Sequence, residues 1–498
     1  MKEETKNIDS QEISVEDHVA LVARYEALQF ENLYLRSEID KLKRLIFGAR
    51  SERFVSSTNP SQLLLGLDTE PTPPVTEERE SISYDRKKKQ GKENAIPVRQ
   101  ALPAHLYRDE IVIEPENKPE EAVKIGEEIT EQLEYKPGTL YVKKYVRPKY
   151  AVKSKEKVII SDLPSFPITK GIAGPGLLAH ILISKFVDHL PFYRQIQQFK
   201  RQDVEIASST MNDWLTASCN LLSPLYDKLK EKIQQSDYIK ADETPINVLT
   251  EDKPGASHKG YHWVYYSPHE RLVCFDYQKS RGREGPDEFL KDYRGILQTD
   301  GYAVYNTFEK SDKITMLACL AHARRKFDEA KNNDQPRAEY MLLQIQKLYA
   351  IERLADDQNL SYEDRGLLRV KKSKPILDEI EHWLKENIVQ VLPKSQIGIA
   401  IAYIISLWSR LKRYVEDGRY EIDNNKIENS IRPVAIGRKN YMFAGSHEGA
   451  NRAAMMYSFL GTCKINDIEP FTWLSDTLSR IADHKANRLE ELLPVKKA

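Results

Sequence analysis

The sequence predicts a multidomain chain: an α/β core interrupted by a large α-helical insertion and preceded by an N-terminal coiled coil, a small β-rich domain and a helical, helix-turn-helix-like domain. Three observations predict it. At 498 residues the chain exceeds what one hydrophobic core supports, so its apolar residues must be shared among several domains. The apolar period changes along the chain, from heptads near the N-terminus to short alternating runs and then to helical repeats. Finally, β-branched and aromatic runs between residues 236 and 319 give way to a long helical stretch before a polar segment, residues 421–433, resumes the core.

Composition narrows the function classes. With 40% hydrophobic and 30% charged residues the chain is of the water-soluble, globular type. The 75 Lys and Arg balance the 75 Asp and Glu, so no global field draws the chain to nucleic acid, and any basic binding surface must be local. Cys219, Cys274, Cys319 and Cys463 lie far apart with no CxxC pair, which argues against a zinc ribbon and a disulfide framework. The opening residues MKEETKNIDS lack the apolar stretch of a signal peptide. The longest nearly apolar run, Ile397 to Trp408, is shorter than the roughly 20 residues that span a bilayer, so no membrane partner and a cytoplasmic location are expected.

From the N-terminus, Leu21, Leu28, Leu35 and Leu42 recur at heptad spacing, interleaved with Tyr25, Asn32, Ile39 and Ile46. Leu at d with one Asn at a is the pattern of a parallel two-stranded coil, because paired buried amides penalise other registers. Residues 15–54 are therefore expected to form a dimerising helix, the competing reading being an amphipathic helix packed on its own domain. Residues 55–100, with Thr-Glu-Pro-Thr-Pro-Pro and the basic run Arg86 to Lys89, read as a flexible, solvated linker.

Residues 101–165 carry alternating stretches at Glu110 to Glu114, Glu128 to Tyr135 and Leu140 to Arg147, with a Lys136-Pro137-Gly138 turn, and predict the small β-rich domain. Its basic end, with Lys143, Lys144 and Arg147 among Tyr141, Tyr145 and Tyr150, is either a patch that tracks a DNA backbone or a lysine-edged strand that resists aggregation. Residues 171–235 predict three helices, Leu177 to Val187, Pro191 to Lys200 and Ser209 to Leu222, with Ser208-Ser209-Thr210 to cap the last. The spacing fits a helix-turn-helix DNA-binding domain and equally a plain three-helix packing unit.

The core is predicted over residues 236–327 and 418–462. Asp237 to Ala241 reads as a short strand ending in Asp242, Tyr261 to Tyr266 and Leu272 to Tyr277 as a hairpin, Pro286 to Tyr293 as a helix, Gly295 to Thr299 as a strand ending in Asp300, and Ile314 to Cys319 as a fifth strand entering His322-Ala323-Arg324-Arg325-Lys326. That is the strand order of a ribonuclease-H-like fold. Two aspartates on neighbouring strands suit phosphodiester chemistry, in which two metals about 3.5 to 4 Å apart bind attacking and leaving oxygens. Mg²⁺ demands oxygen ligands and retains water and substrate phosphate, so few protein carboxylates suffice.

A third carboxylate must come from the polar segment Asp423-Asn424-Asn425-Lys426-Ile427-Glu428-Asn429-Ser430-Ile431-Arg432-Pro433. Glu428 shares a helix face with Arg432, either as a metal ligand or as half of a surface ion pair, and Asp423 competes with it as ligand or N-cap. Between Asp300 and this segment, residues 328–417 form the helical insertion, with periodicity at Tyr340 to Leu354, Pro375 to Gln390 and Gly398 to Tyr414. Its run from Ile397 to Trp408 is apolar on nearly all sides and should be buried. Residues 463–498 read as a C-terminal helical segment.

With these residues in place, the sequence resembles the insertion-sequence 66 family of bacterial transposases over nearly its whole length. The resemblance is carried by Phe47-Gly48-Ala49-Arg50-Ser51-Glu52, Lys185-Phe186-Val187-Asp188-His189-Leu190-Pro191, Ala241-Asp242-Glu243-Thr244-Pro245, Gln298-Thr299-Asp300-Gly301-Tyr302 and Ala321-His322-Ala323-Arg324-Arg325-Lys326-Phe327. It continues through Glu421-Ile422-Asp423-Asn424-Asn425, Glu428, Ile431-Arg432-Pro433, Gly437-Arg438-Lys439-Asn440 and Phe443-Ala444-Gly445-Ser446. The resemblance implies a DDE transposase with Asp242, Asp300 and Glu428 as catalytic and metal-binding triad, which favours Glu428 over Asp423. It implies cleavage at the element's terminal inverted repeats and joining of the freed 3′ hydroxyls to target DNA, with Mg²⁺ as cofactor and Mn²⁺ as its substitute. Implied partners are DNA, a second copy of the chain in a homodimer or larger oligomer, and accessory proteins encoded beside it. His322, Arg325, Arg432, Arg438 and Lys439 are expected to contact DNA phosphates. The family commonly carries CxxC pairs in the small β domain. Here His105 is the only candidate ligand from Leu102 to Ile160, so no zinc is expected.

Overall fold

The computed structural model describes residues 138, 140–145, 149–152, 157–160, 164–169, 171–250 and 256–496. The expected coiled coil, the linker, most of the small β-rich domain and Arg147 lie outside the described residues.

Residues 66–163 form a unit of their own, whose described regular structure is a two-stranded antiparallel sheet, β1 (Lys149–Val152) and β2 (Lys157–Ile160). The strand expected over Leu140 to Arg147 is not formed at residues 140–145. There Tyr141 and Val142 are 77% and 91% exposed, so alternation finds no surface to bury against.

The remainder is built on a five-stranded mixed sheet of β3 (Tyr238–Leu249), β4 (Ser257–Ser267), β5 (Leu272–Gln278), β6 (Gly295–Thr299) and β7 (Ile314–Ala318), in the order β5-β4-β3-β6-β7. β3, β4 and β5 pair antiparallel, whereas β6 and β7 add in parallel beyond β3. Before the sheet come α1 (Pro175–Phe186), α2 (Phe192–Lys200) and α3 (Ser208–Gln234). The short α4 (Glu284–Phe289) joins β5 to β6, and α5 (Leu320–Glu329) follows β7.

Two expectations of local structure are corrected. The strand carrying Asp242 does not stop there but continues to Leu249 through Pro245. Proline is tolerated because β6 pairs only with Tyr238 to Lys240, so the backbone beyond carries no ladder bond to β6 that a missing N–H would break. Likewise α3 is capped at Ala207 with no side-chain bond, the serines falling inside the helix, and it runs on through Pro224 to Gln234.

The edge strand β5 is buried from Leu272 to Tyr277 and is covered by α11 (His447–Ile465). Ser458 Oγ accepts from the Phe275 N–H at 2.8 Å and Thr462 Oγ1 from that of Val273 at 3.2 Å, so helix hydroxyls close an edge that would otherwise recruit another strand. The chain ends with α12 (Pro470–Arg480), packed against α1, and short 3₁₀ turns.

The insertion comprises α6 (Gln335–Asp357), α7 (Tyr362–Leu368), a π-helical turn Arg369–Ser373, α8 (Lys374–Asn387) and α9 (Gln396–Lys412). Asp334, Ser361 and Ser395 cap α6, α7 and α9 by accepting backbone N–H groups. Its core is continuous with α5: Phe327, Ile345, Leu348, Ile401, Ile404 and Leu407 belong to one cluster. The run Ile397 to Trp408 is only partly buried, since Ile399 and Ile405 remain 49% and 39% exposed on the outer face of α9. The chain then re-enters the core through α10 (Asn425–Tyr441). Among the described residues, no helix is long and apolar enough to cross a membrane.

Candidate active site

Asp242 lies opposite Val264 of β4, two positions past the last residue of β3 that pairs with β6. Asp300 follows β6 immediately, so both carboxylates sit where β3 and β6 part. Backbone N–H groups orient them: that of Glu243 donates to Asp242 Oδ1 and that of Tyr302 to Asp300 Oδ1, each at 2.8 Å. The Asp300 turn is clamped from the insertion, because Tyr403 on α9 donates its hydroxyl to the Asp300 carbonyl at 2.5 Å. Gly301 makes the turn possible. Its φ is +93° and a Cβ there would meet Leu407 Cδ1 at 2.5 Å, so a larger residue would be strained and would have to displace the Leu407 side chain.

Glu428 enters from the first turn of α10, and its Oε1 is buried with no hydrogen-bond partner. Its neighbouring basic side chains come from α5, with His322 Nε2 at 3.8 Å from Oε1 and Arg325 Nη2 at 4.0 Å from Oε2. The surface pair with Arg432 is not among its ion pairs in the described residues; Arg432 is exposed. Asp423 is differently placed. Its Oδ1 accepts from Asn425 N at 3.0 Å, and its Oδ2 from the Tyr349 hydroxyl at 2.8 Å and the Asn425 amide at 2.7 Å. These bonds brace the entry to α10, so between the two it is Glu428 that keeps an unsatisfied oxygen; Glu243 Oε2, beside Asp242, is likewise buried without a partner among the described residues.

The three carboxylates sense one another. Burial, then repulsion from Asp300, Glu243 and Glu428, holds the Asp242 carboxyl well above the usual carboxylate range. Burial also raises Glu428, with Asp423 and Asp300 adding and Arg325 opposing. His322 is shifted the other way, its charged form disfavoured first by burial against the pull of Asp300, and its Nδ1 is buried without a partner.

A buried polar latch, not foreseen from the sequence, fixes α10 relative to the aspartates. Lys240, fully buried on β3, donates at 2.6 Å both to Glu421 Oε2 and to the Asp423 carbonyl. Gln298 on β6 donates to the Glu421 carbonyl at 2.8 Å and accepts from the Tyr238 hydroxyl at 2.5 Å. The strands bearing Asp242 and Asp300 are thus tied to the segment that delivers Glu428. Glu421 also takes Lys426 at 2.6 Å. Despite burial, the two lysines lower its carboxyl to about 2. A second unforeseen contact is Arg281, which donates to Glu243 Oε1 at 2.9 and 2.5 Å and lies 4.2 Å from the Tyr302 ring centre, beside both aspartates. A charge inside an apolar strand was the available signal for Lys240; Arg281 had none, lying in a loop.

The other predicted basic residues separate. Arg438 turns inward, donating to Thr244 Oγ1 at 3.0 Å and to the Pro245 carbonyl, so it braces β3. Lys439 is exposed on α10. Lys143 and Lys144 are exposed in the separate N-terminal unit.

Among the described residues no three His, Cys, Asp or Glu side chains close on a point as a finished metal cage. Mg²⁺ does not require one, since one or two carboxylates, water and substrate phosphate complete its shell. An all-oxygen donor set, an unpartnered buried carboxylate oxygen and mutual repulsion that a dication would relieve all fit such an ion.

Comparison with known proteins matches the sequence to a family. The Transposase IS66 family model covers residues 170–452 and the IS66 C-terminal element residues 458–495. Toward the N-terminus, residues 34–111 match the Transposase C of IS166 homeodomain, and residues 119–151 the zinc-finger binding domain of transposase IS66. This last match corrects the expectation of no zinc: a count of Cys and His in residues 102–160 tests for a closed ligand set and does not test kinship with a zinc-binding domain. The uncharacterized protein y4jD of Sinorhizobium fredii (strain NBRC 101917 / NGR234) is 33% identical over 501 residues, 96% of this chain and 97% of that protein. Its companion y4hP from the same organism is 33% identical over 92% of this chain and 88% of its own length. The uncharacterized protein YuaK of Escherichia coli (strain K12) is 41% identical over 49 residues, 10% of this chain. The chain belongs to the IS66 family of transposases, and its partner is DNA.

Proposed function

We propose that the chain cuts DNA at the ends of its element and joins the freed 3′ ends to target DNA, on a ribonuclease-H-like core, with Asp242, Asp300 and Glu428 as catalytic residues. The observation that supports this is the mutual repulsion among these carboxylates, which helps raise Asp242 and Glu428, with Glu428 Oε1 buried and without a hydrogen-bond partner among the described residues. Mg²⁺ or Mn²⁺, when bound, supplies Lewis acidity to the reacting phosphate and lowers the pKa of water. Asp242, Asp300 and Glu428 would hold it. Arg325 stands beside Glu428 to offset phosphate charge, and the neutral His322 ring adds a polar group without competing for the cation site. In the first step a water oxygen forms a bond to phosphorus as the bond to the 3′ oxygen breaks. In the second, that 3′ hydroxyl attacks a target phosphate, releasing another 3′ hydroxyl. Exposed Lys439 and Arg432 on α10 give the backbone its electrostatic track.

The test is an assay of purified protein with DNA carrying the element's ends, in Mg²⁺, followed by pre-cut ends with a target plasmid. Cleavage with joining is the expected result. Cleavage without joining would leave a nuclease, and neither activity would reject the reading.

A further inference from the structure

Next to Glu428, a cleft of about 550 Å³ opens between α10 and helices α6 and α7 of the insertion. Its volume lies in the range of about 300–1,000 Å³ that encloses a single drug-sized ligand, the size of a nucleotide and too small for a duplex. The charges in its walls are unequally used. Glu352 is paired with Arg365 and Arg369, Asp356 with Arg365, and Glu421 with Lys240 and Lys426. Asp423 is taken up by Tyr349 and Asn425. In contrast, Arg353 on α6 and Arg432 on α10 are exposed, line the same cleft and have no ion pair among the described residues. The cleft therefore keeps its carboxylates occupied and leaves two guanidinium groups in its lining, one on α6 and one on α10, an arrangement suited to a phosphate diester.

The same cleft offers groups suited to a base. Tyr362, 59% exposed at the start of α7, lines it with His269, the two ring centres 6.2 Å apart. An exposed tyrosine is a stacking platform for an unpaired base. Asn429, one residue after Glu428 and exposed, presents a side-chain amide to the cleft. Asn and Arg are the side chains that pair bidentately with purine edges.

We infer that this cleft binds an unpaired nucleotide of the DNA strand next to the cleavage point, its phosphate between Arg353 and Arg432 and its base on Tyr362. The inference rests on the reading of the chain as a DNA-cleaving enzyme. A single strand threading from Glu428 past Asn429 and Arg432 reaches the cleft along one face of α10, whereas paired DNA must stay outside it.

Binding of full-length protein, in EDTA to prevent cleavage, is measured by fluorescence anisotropy with a blunt duplex and with the same duplex carrying a single-stranded thymidine tail. The expected preference for the tailed duplex is about tenfold or more. In the double variant Arg353→Ala, Tyr362→Ala it should fall to near one while blunt-duplex affinity stays unchanged. Both side chains are exposed, so an unchanged thermal melt should accompany the loss. Equal binding of both probes by the wild type, or a preference retained in the double variant, overturns the inference. If the wild-type chain fails to cut in Mg²⁺ but shows a tail preference that the double variant loses, the cleft stands and the cleavage reading falls.

Discussion

Two buried acidic clusters lie side by side in this protein, and burial has opposite consequences in them. Around Asp242 and Glu428 burial holds the carboxyls above their usual range and neighbouring carboxylates add to it, with Arg325 opposing the shift at Glu428. At Glu421, two lysines at 2.6 Å hold the carboxyl down to about 2. Desolvation penalises charge in both; the counter-ion decides the outcome. The saturated cluster ties β3 to the segment that leads into α10, whereas the unsaturated one is the proposed site for cations and DNA.

The largest effect that would break this contrast is on activity. Asp242→Asn, Asp300→Asn and Glu428→Gln should each reduce cleavage by roughly a thousandfold or more, equivalent to about 4 kcal/mol of transition-state stabilisation, while DNA binding is retained. Gel assays of cleavage and binding on the same preparations check this; near-normal cutting by Glu428→Gln would erase the distinction between it and Asp423.

The next effect is on stability. Lys240→Met removes one of the two lysines that hold Glu421 and should cost about 1 to 3 kcal/mol by denaturant unfolding, with Glu421→Met in addition recovering part of it. The pH dependence follows from the depressed Glu421 carboxyl. The folded chain binds that proton less tightly than the unfolded chain, so its contribution is present above the ordinary value of 4.5 and is lost as pH falls toward about 2. Acid melts of the wild type should therefore show a component that Glu421→Gln lacks.

A smaller effect is expected at Gly301→Ala, which combines φ of +93° with collision against Leu407. A cost of about 1 to 3 kcal/mol, read in a thermal melt, should accompany impaired cleavage, because Asp300 is displaced. The smallest is at Lys439→Ala, where the salt dependence of DNA affinity should become shallower by about one unit of log–log slope.

Much of the sheet was legible because its strands are short apolar runs bounded by turn residues: Gly295 to Thr299 and the 272–277 strand match to within a residue. Where a breaker residue sat in tolerant surroundings, the sequence misled. Pro245 lies where β3 carries no ladder bond to β6, and Pro224 falls within a helix of 27 residues anchored by Leu222, Leu225 and Leu229. The candidate carboxylates could be named because strand ends and a polar helix start are local signals. Lys240, Gln298 and Glu421 could not, because their meaning lies in contacts 123 to 181 residues apart. The zinc expectation failed for a related reason: a ligand count is local, whereas membership of a domain family is spread over the whole segment.

The most direct measurement compares thermal melting of the wild type and of Asp242→Asn, with EDTA and with Mn²⁺, near pH 7. Asp242 binds its proton more tightly folded than unfolded, so it costs stability above the ordinary carboxylate value, and that cost shrinks as pH falls from the raised folded value toward the ordinary 3.8. In EDTA the asparagine variant should melt above the wild type. Added Mn²⁺ should raise the wild type alone, by about 2.7 kcal/mol at a hundredfold excess over Kd, because the ion binds only the folded carboxylates. An equal Mn²⁺ response in both proteins, with Asp242→Asn no more stable than the wild type in EDTA, would contradict the assignment of these carboxylates as the cation site.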